Sequence, residues 1–232
     1  MPIPRAPDAK PDGRRQRADG ARSRQAILHA ATELATVEGL DGLSIARLAA
    51  HAGMSKSGLF AHFRSKADLQ RATIDAAAAM FDREVMQPGR AAPPGVRRVL
   101  ASCEAFFRYL ERAVFPGGCF FVAAAAELDA KEGPVRDHLR DAYSRILQGF
   151  ADVIREAQEL GEIEAAEDVA QLTFELDSLM LGANFAYVFF ADPAALDRAR
   201  LAIRQRLARA AASAPARRPR ASASHSRRPR RR

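Results

Sequence analysis

The chain has no tryptophan, three tyrosines, four lysines and two cysteines in 232 residues, and each shortage excludes something. Cys103 and Cys119 are too few for a zinc site and do not resemble the cysteine set of a secreted disulfide framework, so both read as buried thiols. β-Branched residues are sparse and no run alternates polar with apolar over a strand's length, which leaves little to build a sheet from. The longest charge-free run, Ser178 to Ala191, contains Asn184 and falls short of the about 20 apolar residues that span a bilayer. No transmembrane helix and no membrane partner are expected. The opening MPIPRAPDAKPDGRRQRADG never gathers the apolar block of about 7 to 15 residues that a signal peptide needs. A cytoplasmic protein is expected. There is no GxSxG, P-loop or HExxH, and the histidines are scattered at 29, 51, 62, 138 and 225. Glu127, Asp129, His138 and Asp141 straddle Gly133-Pro134 without ligand spacing and read as surface charge. The expectation is therefore no enzyme, with no catalytic residue, no metal and no cofactor.

What is present in excess is arginine, and it is unevenly placed. The formal net charge is +8. Residues 1 to 24 carry seven basic and three acidic side chains, and residues 213 to 232 carry eight arginines and no acid. That leaves 21 basic against 25 acidic residues between them, a body of net charge −4. The two ends, rich in Ala, Pro, Ser and Arg, cannot bury enough apolar surface to offset the entropy of ordering, so 1–23 and 213–232 are expected to be disordered basic tails.

Between the tails the pattern is helical throughout. Ile27, Ala31, Leu34 and Ala35 recur at helical spacing from Arg24, and Gly39 can take a left-handed cap. Ser44 can cap a short helix with Ile45, Leu48, Ala49 and Ala52 inward, and Ser55 opens another with Leu59 and Phe63 inward. Ser65 and Asp68 fit a capping box that starts a longer helix, Lys66 to about Met86. Three prolines and two glycines in Gln87 to Gly95 then break the pattern. Beyond them helices are expected over about Val96 to Ala113, Cys119 to Ala130, Pro134 to Leu160, Ala166 to Ala191 and Pro193 to Ala211. The fold class is all-α: a three-helix unit over 24–70, its last helix running on to about 86, and a helical bundle over 88–212.

The chemistry concentrates between Ser44 and Leu69, SIARLAAHAGMSKSGLFAHFRSKADL. Two short helices meet at Gly53-Met54-Ser55. Ala49 is small enough for a close crossing, Gly53 tolerates positive φ, and Leu59 anchors the second helix, as a helix-turn-helix requires. Ser55, Lys56, Ser57, Phe60 and His62 are left outward at the end of a helix that can enter a major groove. The segment resembles the DNA-binding domain of the TetR family of bacterial transcriptional regulators, over about Ser23 to Leu69 and most closely in Ala52-Gly53-Met54-Ser55-Lys56-Ser57-Gly58-Leu59-Phe60, His62-Phe63 and Ser65-Lys66-Ala67-Asp68-Leu69. It departs from the commonest pattern at Phe60, where tyrosine is usual; Phe60 lacks a phenolic hydroxyl for a phosphate and can pack only on sugar or a thymine methyl. Geometry and resemblance together assign Ser44 to capping and to reaching a phosphate, and Lys56 to a phosphate or guanine edge. Ser57 and Gly58 allow close approach of the backbone, and His62 and Lys66 clamp phosphates.

The bundle is rich in apolar bulk. Phe106, Phe107, Tyr109, Cys119, Phe120, Phe121, Phe150, Phe174, Met180 and Tyr187 can line a cavity between helices or simply build a core. Asp177 and Asn184, on one face of an apolar helix, are its polar candidates, Asn184 also fitting a bond across a dimer interface. The proposed effector contacts are Phe107, Phe121, Phe150, Phe174, Asp177, Asn184 and Tyr187. The family resemblance further implies a homodimer formed through the last two helices, a sensor domain for a small-molecule effector, and double-stranded DNA with a palindromic operator as partner. The function implied is a ligand-responsive regulator, more often a repressor. The alternative is a nucleoid-associated architectural protein of low sequence specificity that binds through its basic tails.

Because the excess charge lies in the tails, deleting residues 213–232 should lower DNA affinity and its salt dependence but leave sequence preference intact. Binding titrations at several salt concentrations against matched and scrambled duplexes check this, and a lost preference would overturn it.

Overall fold

The computed structural model describes residues 13–51, 53–60 and 62–212. The expectations for residues 1–12 and 213–232, for Ala52, and for the side chains of Lys56 and Phe60 lie outside what is described. Among the described residues the secondary structure is entirely helical: α1 (Gly13–Glu38), α2 (Ile45–His51), α3 (Lys56–Phe60), α4 (Lys66–Phe81), a π segment (Asp82–Met86), α5 (Gln87–Arg90), α6 (Val96–Glu111), α7 (Phe120–Leu128), α8 (Pro134–Glu159), α9 (Val169–Phe189) and α10 (Ala194–Ala212). No described helix is long and apolar enough to cross a membrane.

Local chemistry sets most boundaries where the sequence puts them. Ser65 Oγ accepts from Asp68 N at 3.1 Å, but the Asp68 carboxylate reaches back to Arg64 N, at 3.0 Å, one residue before the cap. Asp168 accepts from Ala170 N and starts α9 at Val169, three residues later than expected. Gly39 and Gly53 take φ of +83° and +63°, a region that side chains with a Cβ avoid.

Two further boundaries differ from expectation. α1 begins at Gly13, not near Arg24, so residues 13–23 are helical rather than part of a disordered tail; four arginines, two alanines and the absence of proline favour the extension against the cost of Gly13 and Gly20. The helix from Lys66 does not break at Gln87. It passes through the π segment and continues as α5 to Arg90, with Pro88 as the second residue of α5 just after the π segment.

The core is continuous from the three-helix unit into the bundle. α4 is its axis, burying Leu69, Thr73, Ile74, Ala77, Met80 and Phe81 against α1 and α8. Phe81 stands edge-on to Tyr109 of α6 and Phe121 of α7, each ring centroid 5.9 Å away, and each such pair adds about 0.5–1.5 kcal/mol to the burial itself. α10 packs on α9, where Arg206 pairs with Glu167 and Glu175. Arg200 ties α10 to α6 through Glu104 and Glu111, at 2.9 and 2.8 Å.

The α6–α7 connection lies directly on the end of α1. Gly117 N donates to Thr36 Oγ1 at 3.2 Å, and a Cβ at Gly117 would sit 1.9 Å from the Thr36 carbonyl oxygen. Backbone faces backbone there, so neither side can yield cheaply. Gly117→Ala is expected to cost about 1–3 kcal/mol, read as a lower urea midpoint with unchanged slope.

Candidate nucleic-acid interface and effector cavity

The reading head is built from α2, its turn and α3. Leu48, Leu59 and Phe63 are buried and Ala49 lies at the contact, so the two short helices are held by side chains between them. The turn closes through Met54 N donating to Ala49 O at 2.9 Å. Ser44 Oγ accepts from Arg47 N at 3.2 Å, and Ser55 Oγ from Gly58 N at 3.1 Å, so both serines cap as expected. Ser57 is exposed and its hydroxyl lies 3.2 Å from that of Ser55. Gly58 is half-buried, and a Cβ there would stand 3.2 Å from Ser55 Oγ, so a side chain at this position would press on the cap hydroxyl. His62 is half-buried beside Phe63.

Lys66 is exposed, but its ammonium already donates to Asp41 O at 2.6 Å. It therefore anchors the turn between α1 and α2, a role its sequence position did not reveal. Two arginines absent from the sequence assignment also flank the head. Arg47 is exposed and paired with Glu38 at 2.8 Å, and Arg64 is exposed between His62 and Lys66. Arg24 lies over the Phe63 ring at 4.8 Å, a cation–π contact on the head's own core residue.

Besides the shared core, polar contacts fasten the head to the bundle at the α1–α2 turn. Glu127, near the end of α7, accepts from Leu40 N at 2.6 Å and from Asp41 N at 2.9 Å. Gln70 donates to Leu40 O and to the Asp41 carboxylate, and Lys131 reaches the same carboxylate at 2.5 Å. The Lys131 bond holds the Asp41 carboxyl below its ordinary range. His138 meets Asp75 at 2.7 Å rather than Glu127, and no group of residues able to hold a metal occurs among the described residues.

The bundle encloses a small cavity of about 40 Å³. Phe81, Val85 and Met86 line it from α4 and the π segment, Ser102 and Phe106 from α6, Cys119 and Phe121 from the start of α7, Tyr143, Ile146, Leu147 and Phe150 from α8, and Asp177, Met180 and Leu181 from α9. Of the seven expected effector contacts, Phe121, Phe150 and Asp177 are in this wall. Phe107 is not; it faces α10 beneath Arg200. Phe174 is 67% exposed on the outer face of α9. Asn184, two turns beyond Asp177, has passed the cavity's end, and its Oδ1 accepts from Cys119 N at 2.9 Å to cap α7. Tyr187, a further turn on, packs half-buried against the core. A helix crossing a compact void contributes only the turn that meets it, so residues sharing a face of α9 do not share the site.

Asp177 is the one charged residue in the wall, and its bond from Tyr143 Oη is long, 3.4 Å. Burial pushes its carboxyl up from the ordinary 3.8 to about 6. The same burial raises Cys103 to about 12 and Cys119 to about 11, so neither thiol is poised to react.

With this geometry described, comparison with known proteins is decisive. Residues 27–73 match the family of bacterial regulatory proteins called tetR, and residues 95–203 match the tetracyclin repressor-like C-terminal domain. The chain belongs to the TetR family. Members are DNA-binding transcriptional regulators rather than enzymes, with a ligand-binding C-terminal domain. The HTH-type transcriptional repressor BepR of Brucella suis biovar 1 (strain 1330) is 26% identical over 168 residues, 68% of this chain and 78% of BepR. A TetR regulator from Chloroflexus aurantiacus J-10-FL has the same fold, with a TM-score of 0.75 at 24% identity over 81% of this chain and 95% of its own. AibR in complex with isovaleryl coenzyme A and operator DNA is similar at a TM-score of 0.60 and 18% identity, over 82% of this chain and 98% of AibR.

The raised carboxyl of Asp177 has a signed consequence for stability. Between about pH 4 and 6 the folded TetR-family chain holds a proton there that the unfolded chain has released, so this group's contribution to stability falls as pH rises through that window. Asp177→Asn is expected to stabilise the protein by about 1–2 kcal/mol at pH 7.5, after discounting for partial solvation, with the gain vanishing toward pH 4. Urea unfolding of both proteins across pH 4–8 checks the difference.

Proposed function

We propose that the protein is a homodimeric, ligand-responsive repressor that binds a palindromic operator through α3 and is released when a small molecule occupies the bundle cavity. The observation that carries this reading is the continuity of one element: α4 begins at the reading head with Lys66 and, through the π segment, ends in the cavity wall with Phe81, Val85 and Met86. A ligand that opens the wall displaces the same helix that carries the head. The naming of BepR as a repressor and the AibR complex with both a coenzyme A thioester and operator DNA support the two halves of the reading. Homodimerisation through α9 and α10 is supported by Phe185, Phe189, Phe190 and Leu201, all more than half exposed, an apolar extent that soluble monomers rarely leave in water.

At the DNA, Ser57 offers an exposed hydroxyl to base edges, while Lys66, with one of three donors spent on Asp41 O, keeps two for a phosphate. His62, Arg64 and Ser44 flank it as further phosphate contacts, with Lys56 and Phe60 at α3 itself.

Selection of bound fragments from the source genome by the purified protein should return a palindrome with half-sites about 34–36 Å apart; recovery of no common sequence would favour the architectural alternative. On that site Lys66→Ala should weaken binding to every duplex and reduce the salt slope by about one, whereas Ser57→Ala should change preference among half-site variants. Unaltered affinity and salt slope in Lys66→Ala would remove that residue from the interface.

A further inference from the structure

We propose that the effector is a lipophilic organic cation, a protonated amine on an aromatic or aliphatic body, whose ammonium pairs with the Asp177 carboxylate while the body fills the cavity between α6, α8 and α9. The proposal rests on the reading of this cavity as the effector site and adds the chemical class.

The wall is aromatic and aliphatic apart from four polar side chains, and those four discriminate. The Ser102 hydroxyl is spent on Arg98 O at 2.9 Å, and Cys119 is a buried neutral thiol. Tyr143 donates its only proton toward Asp177, over 3.4 Å. The Asp177 carboxylate has no cationic partner in the wall, which contains no Lys, Arg or His. An ionised carboxylate in an apolar site with one long hydrogen bond is under-compensated, and an ammonium within reach supplies the missing charge and up to three donors. An anionic ligand would place like charge against Asp177 with nothing to offset it, and a neutral one could offer a hydrogen bond but no opposite charge. Phe121 and Tyr143, stacked at 5.7 Å and 24°, add aromatic faces next to the carboxylate, the surface on which organic cations rest.

Access follows the same logic. A groove of about 350 Å³ on the α8–α9 surface is lined by Ser144, Gln148, Thr173 and Phe174 and shares Leu147 and Asp177 with the cavity. Its wall also lacks any basic residue, so an incoming amine meets the carboxylate at the boundary between groove and interior. The cavity as it stands has room for only a few waters, at roughly 10–15 Å³ each, so the ligand body must displace wall side chains. Met86 and Met180, unbranched and flexible, are the ones able to yield.

Calorimetric titration of the full-length protein at pH 7.5 with three probes sharing one body, 4-phenylbutylamine, 4-phenylbutan-1-ol and 4-phenylbutyrate, tests the proposal. The amine should bind at least tenfold more tightly than the alcohol, and the acid more weakly than either. In Asp177→Asn the amine should fall to the alcohol's affinity while the alcohol is unchanged. The wild-type protein gives a second measurement that does not depend on the variant folding: amine affinity should fall roughly tenfold from pH 7.5 to 5 as the carboxylate takes up a proton, and alcohol affinity should not. The other titratable groups facing Asp177, Tyr143 on α8, Cys103 on α6 and Cys119 before α7, are all shifted upward and stay neutral over that range. Alcohol or acid binding as tightly as the amine, or an amine affinity indifferent to both pH and Asp177→Asn, overturns the cation assignment and leaves the effector cavity standing. No heat from any of the three overturns both.

Discussion

The arrangement turns on one carboxylate. The three-helix head shares its core with the bundle, and its α1–α2 turn is held from the bundle side where Glu127 accepts two backbone N–H groups. Hydrogen bonds to a charged acceptor are worth about 1.5–3 kcal/mol each, whereas the neighbouring Lys131–Asp41 pair, half-exposed on both sides, adds little by the usual measure of surface ion pairs. Glu127 is near one end of α7, and Cys119 and Phe121, at the other end, are in the cavity wall. Nine residues of helix, about 13 Å long, therefore separate the cavity wall from the turn of the head, and the proposed release would use that connection.

The second connection is the helix from Lys66 to Arg90, and its π segment is the place where it is least regular. In a π turn residues five apart come to one face, which brings Met86 into the cavity wall beside Phe81 and Val85 where a regular helix would turn it away. The segment is braced from outside by Arg90 and Gln87 on Asp82, at 2.5 and 2.8 Å, and by Arg112 on Glu84 at 3.0 Å. It is braced from inside by the aromatic contacts of Phe81. The geometrically costly turn thus coincides with the cavity wall, a place where π turns recur in functional helices.

What could be read from the sequence divides along the same lines. Ser44, Ser55, Ser65, Gly39 and Gly53 were legible because caps and positive-φ turns are decided within three or four residues, and the apolar spacing fixed which side of each helix is buried. The cavity was legible only in outline. Phe121, Phe150 and Asp177 line it, but Phe107, Phe174, Asn184 and Tyr187 do not, since periodicity identifies a buried face without saying what the face meets. Val85, Met86, Ser102 and Tyr143 were missed for the same reason, and the π segment because no residue in Asp82-Arg83-Glu84-Val85-Met86 breaks a helix. Glu127 looked like surface charge because its partners are backbone N–H groups more than eighty residues away, which leave no trace in sequence spacing.

Energetics make these pieces commensurate. Driving a two-state regulator from almost wholly bound to almost wholly released requires a ligand to favour the released state by about 5.5 kcal/mol. The two Glu127 bonds, each worth about 1.5–3 kcal/mol at most and one of them at the surface, set only part of such a difference. The cavity of about 40 Å³ supplies the other condition. Because it is nearly closed when empty, a ligand cannot bind the resting arrangement and the opened one equally well, and a ligand indifferent to the two would shift nothing. Occupancy therefore implies displacement of the α4–π wall or of α7, and each of those walls is continuous with a support of the reading head.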